Sequence, residues 1–64
     1  MKHCLTNVDG VTATIAHEPG GYVVLRLHGP SALFRGVAIE DIASRYGFLV
    51  DVVISANEFQ LGAL

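Results

Sequence analysis

The chain has 64 residues and a mass of 6.8 kDa, with four Lys plus Arg against six Asp plus Glu, for a formal charge of −2. A chain this short buries only about 60% of the surface it exposes when unfolded, so we expect one domain with a small core, spanning residues 1–64. The single cysteine excludes an internal disulfide, the acidic balance argues against charge-driven nucleic-acid binding, and there is no Gly-rich phosphate loop.

Against these limits stands a large apolar content, 52% of residues with a mean hydropathy of +0.50. Some of that apolar surface is expected to meet a partner. No apolar run approaches signal-peptide or membrane-spanning length, and a lone thiol suits a reducing compartment, so the expectation is a cytoplasmic protein without membrane association.

Turn residues divide the chain. Asp9-Gly10 between valines predicts a two-residue hairpin loop joining strands at 3–8 and 11–16. Pairing Val8 with Val11 sets Thr6 opposite Ala13 and Cys4 opposite Ile15, and collects Cys4, Val8, Val11, Ala13 and Ile15 on a core face. Glu18-Pro19-Gly20-Gly21 predicts a second turn, followed by a strand over 22–28. An odd-length loop there, with Ile15 opposite Val23 and Ala13 opposite Leu25, keeps Val23, Leu25 and Leu27 on the core side.

Gly29-Pro30-Ser31 ends the strand, and Ser31 is positioned to cap a helix running to about Tyr46. Leu33, Phe34, Val37, Ile42 and Tyr46 form its apolar stripe, Gly36 is its weak point, and Gly47 terminates it with Phe48 beside the cap. Phe48 to Ser55 is rich in β-branched residues and predicts a fourth strand, with Val50, Val52 and Ile54 toward the helix and Leu49 and Val53 outward. Residues 56–64 fit either a last short strand or a segment folded back on the core. The expected fold is an α+β domain of order βββαβ, a mainly antiparallel sheet with one helix packed on one face. Strand–helix–strand connectivity makes the third and fourth strands parallel.

The segment Gly36-Val37-Ala38-Ile39-Glu40-Asp41-Ile42-Ala43-Ser44-Arg45-Tyr46-Gly47, continued by Val50-Asp51, Val53-Ile54 and Ala56-Asn57, resembles the middle of a LysM domain. That resemblance implies a β-α-α-β fold and a glycan-binding module, and it requires a helix within 49–57. Val37-Ala38 stand where the family has Asp-Thr, Leu49 stands where it has a helix cap, and residues 1–28 lie outside its fold. The string Ile42 to Gly47 also looks like the first helix and turn of a helix-turn-helix. The recognition helix would then span 50–57, which has no Arg or Lys and carries Asp51.

Chemistry-bearing residues are scattered. His3 and Cys4 adjoin and His17 lies across the hairpin, but neighbours on a strand point to opposite faces, so no metal site is expected. Glu40 and Asp41 fall on the exposed helix side, and no carboxylate is forced beside a His, Ser or Cys. The expectation is a protein that is not an enzyme and needs no cofactor. The second face of the sheet is the candidate site, because it keeps Leu5, Tyr22, Val24, Arg26, Leu49 and Val53 where alternation toward polar residues is usual. A small inhibitor, antitoxin or phage-type accessory protein would use such a face to occlude a larger partner. A subunit that assembles with its own copies would use it as a homodimer contact, and an exposed strand edge offers a second route by strand addition.

Overall fold

The structure, a computed structural model, describes residues 2–8 and 10–64, with side chains described for residues 7 and 10–64. The elements run β1 (Lys2–Val8), β2 (Val11–His17), β3 (Val23–His28), a 3₁₀ helix (Ser31–Gly36), α1 (Ile39–Arg45), β4 (Phe48–Ser55) and β5 (Glu58–Ala63). All five strands form one sheet in the order β1-β2-β3-β5-β4, and every neighbouring pair is antiparallel.

The first hairpin has the expected loop, with Val8 opposite Val11, Thr6 opposite Ala13 and Gly10 at φ 87°. Asn7 secures it, accepting the Gly10 N–H on Oδ1 at 3.3 Å and donating to Thr12 Oγ1 at 3.0 Å. A register shift between Cys4 and Thr6 then sets Cys4 across from Thr14, not Ile15. The expected side-chain positions of Cys4, Leu5, Val8 and Asp9 lie outside the described residues.

The second loop is longer than expected. His17 pairs with Val23, so five residues bridge the strands, closed by a 2.7 Å bond from the Glu18 N–H to the Tyr22 carbonyl. Gly20 and Gly21 both take positive φ, 88° and 86°. Ile15 therefore faces Leu25 and Ala13 faces Leu27. This is two residues from the expected register, yet the core face is the same, because a two-residue shift conserves side-chain alternation.

The expected single helix is broken in two. After the 3₁₀ turn, Val37 is extended and the Ile39 N–H bonds back to the Val37 carbonyl at 3.0 Å around Ala38 at φ −81°, ψ 82°, an inverse γ-turn. Gly36 and β-branched Val37 disfavour continuous helix at this point. Ser31 is the first residue of the 3₁₀ helix and does not cap it, and Pro30 occupies the cap position. The break also turns Leu33 and Tyr46 to solvent, although both belonged to the expected stripe. Gly47, at φ 84°, closes α1 as expected, and the Tyr46 and Gly47 N–H groups take up carbonyls of its last turn.

The core lies between the sheet and α1. Val11, Ala13, Ile15, Leu25, Leu27 and Leu61 from the strands meet Ile42 and Ala43, with Phe34, Val37, Ile39, Phe48, Val50 and Phe59 packed around them. Leu61 reaches this centre because residues 58–63 form a central strand. β5 turns back from β4 through Ala56-Asn57 and inserts beside β3, pairing Leu25 with Phe59 and Val23 with Leu61. β3 and β4 are parallel in direction, as connectivity requires, but β5 separates them, so every ladder is antiparallel and β4 lies at the edge.

Candidate functional site

Registers decide which face each β4 residue joins. Val50 pairs with Leu61 on the helix side, but a shift at Asp51 then sets Val52 opposite Gln60 and Val53 opposite Phe59. The inserted residue reverses the alternation beyond it. Val52 thus faces away from the helix and Val53 lies on the helix side, each opposite to the sequence expectation. A second shift at Ile54 returns Ser55 to the face of Glu58. Val52, Val53 and Ile54 are all exposed, at 48%, 66% and 52%.

On the face away from the helix, Val24 is only 6% exposed, which removes it from any solvent-facing surface. It lies between Ala16 and Gln60, one register step from Arg26 on the same strand face. Arg26 is tied down by two carboxylates: Nε donates to Glu58 Oε2 at 2.7 Å and Nη2 reaches Glu18 Oε1 at 2.9 Å. The bond to Glu58, and then that to Glu18, raise the guanidinium pKa above its ordinary value. Thr14, also buried on this face, shares a 3.0 Å hydrogen bond with His28 Nε2. This part of the face is polar and internally satisfied.

Leu49 and Tyr22 are both exposed toward the other end of the sheet. Leu49 pairs with Gly62, and a Cβ on Gly62 would sit 3.5 Å from the Leu49 side chain. Tyr22 precedes β3 in the loop, where its ring would lie 3.3 Å from a Cβ on Gly20. Leu49 is 43% exposed on this face, and Asp51, whose Cβ would lie 3.7 Å from a Cβ on Gly62, stands between it and the exposed Val52. Val52 was missed because nothing in the composition of Val50-Asp51-Val52-Val53 marks a bulge. Of the six expected residues, Tyr22 and Leu49 are exposed on different elements, Val24 is buried, Arg26 is engaged, Val53 is on the other face, and Leu5 has no described side chain.

Among the described residues, no group of three His, Cys, Asp or Glu could hold a metal ion, and no helix is long and apolar enough to cross a membrane. Residues 48–55 form strand where both the LysM and helix-turn-helix resemblances need helix, so neither extends to the fold. No family model matches the chain, and no curated protein or solved structure shows significant similarity to it.

Proposed function

We propose that this protein is a non-enzymatic binding module, acting in the cytoplasm as a small inhibitor, antitoxin or phage-type accessory protein that occludes a larger protein partner. The observation that carries this reading is that Leu49 and Val52, on the face away from the helix, stay exposed on β4 although β5 has entered the sheet. A segment folded over the second face would have covered them, and residues 58–63 are instead part of the sheet itself. Exposed apolar groups are characteristic of protein contact surfaces.

The test is affinity capture from the native host with wild-type protein and with the double variant Leu49→Lys, Val52→Lys. Specific capture by the wild type and its loss in the folded variant is the expected result. Identical capture by both eliminates this patch as the contact.

A further inference from the structure

We propose that β4 pairs antiparallel with β4 of a second copy, extending the five-stranded sheet across a two-fold axis. This contact goes beyond the patch proposed above, since it uses the strand edge and Val53 on the helix side. The edge itself calls for such a partner. β4 is eight residues long, lies at the end of the sheet, and carries Val52, Val53 and Ile54 exposed on both of its faces. Edge strands are commonly protected by Lys, Pro or bulges; this one has no Lys or Pro, Asp51 is its one charge, and its two bulges leave Val52 and Val53 exposed on opposite faces.

The bulges select the register. In an antiparallel pair, residues directly opposite must lie on the same face. Placing Val53 on the two-fold axis satisfies this: Val53 meets its own copy on the helix side, Val52 meets Ile54 of the partner, and Asp51 meets the partner's Ser55. Centring on Val52 would oppose Asp51, on the far side, to Val53 on the helix side. Charge agrees with this choice. Asp51 faces a hydroxyl-bearing residue, and the two Asp51 residues are offset by about 13 Å along the strands, beyond the screening length of about 8 Å at physiological salt. α1 packs back over β4 through the two-residue link Tyr46-Gly47, with Glu40 and Asp41 in its first turn and Arg45 in its last. A two-fold axis normal to the sheet keeps the two α1 helices on the same face and runs them antiparallel.

Sedimentation velocity over a concentration series tests the pairing. Wild type is expected to dimerise, while Val53→Lys and Val53→Glu each weaken the dimer at least about tenfold, and their equimolar mixture restores it, because position 53 faces itself. Hydrogen exchange on the wild type supplies a second measurement that needs no variant: amides of β4, and not those of β1, gain protection as concentration rises. A monomer up to about millimolar concentration, a dimer unaffected by both substitutions, no restoration on mixing, or protection confined to β1 overturns the proposal. A monomeric wild type that still captures a partner through Leu49 and Val52 would leave the function proposed above standing.

Discussion

A Cβ on Gly29 would sit 2.7 Å from the carbonyl oxygen of Gly10, so the end of β3 and the first hairpin loop touch backbone to backbone. Gly29 also holds φ at 140°, a conformation that other residues avoid. Gly29→Ala is therefore expected to destabilise the protein by about 1–3 kcal/mol. Gly36→Ala is the matched control, since a Cβ there meets nothing within 4 Å, and it is expected to be neutral or slightly stabilising. Urea unfolding of both variants checks the contrast.

Arg26 joins three parts of the chain: the β2–β3 loop through Glu18, β3 itself, and the start of β5 through Glu58. Arg26→Met should lower the thermal midpoint, and added salt should narrow the difference from wild type, because the ion pairs are partly exposed and screened. A folded-state pKa raised above the unfolded value gives stability that is complete below the unfolded pKa and lost as pH rises through the folded one. For a guanidinium both lie in strong alkali. The Arg26 contribution is thus constant from about pH 6 to about pH 10, and thermal melts of wild type and variant across that range should run parallel.

Leu25 is fully buried at the middle of the core, between Ile15 on β2 and Phe59 on β5. Leu25→Ala should cost about 2–5 kcal/mol, comparable with the whole stability of so short a chain. Loss of cooperative unfolding by circular dichroism is the expected outcome. Leu49→Ala, on an exposed side chain, should change stability by less than about 0.5 kcal/mol.

Truncation after Asn57 removes an interior strand, although it removes only the end of the chain. Leu61 leaves the core, β3 loses its partner, and β4 loses its one ladder. The truncated chain is expected to be unfolded, visible as collapse of amide dispersion in NMR. A folded product would show that β5 contributes little to the sheet.

Local chemistry made much of this fold legible. Asp9-Gly10 placed the first hairpin, β-branched residues marked β4 at its observed limits, Gly47 marked the end of α1, and alternation put Ala13, Ile15, Leu25 and Leu27 on one face. Each of these signals acts within a few residues. The helix break at Gly36-Val37-Ala38 was visible only as a weakness, because helix propensity is a small energy and tertiary packing decides where a helix begins.

By itself, then, the sequence determined an acidic α+β domain with more apolar surface than one helix can cover. Tertiary structure decided where that excess lies. β5 takes the place between β3 and β4 because strand pairing joins residues distant in the chain, and no local pattern encodes which strand pairs with which. Bulges at Asp51 and Ile54 then exchange the faces of Val52 and Val53, since one extra residue reverses a two-residue alternation. Four of the exposed large apolar residues, Leu49, Val52, Val53 and Ile54, consequently lie along β4, with others at Tyr22, Leu33, Tyr46 and Leu64, while Val24 is buried beside the Arg26 network.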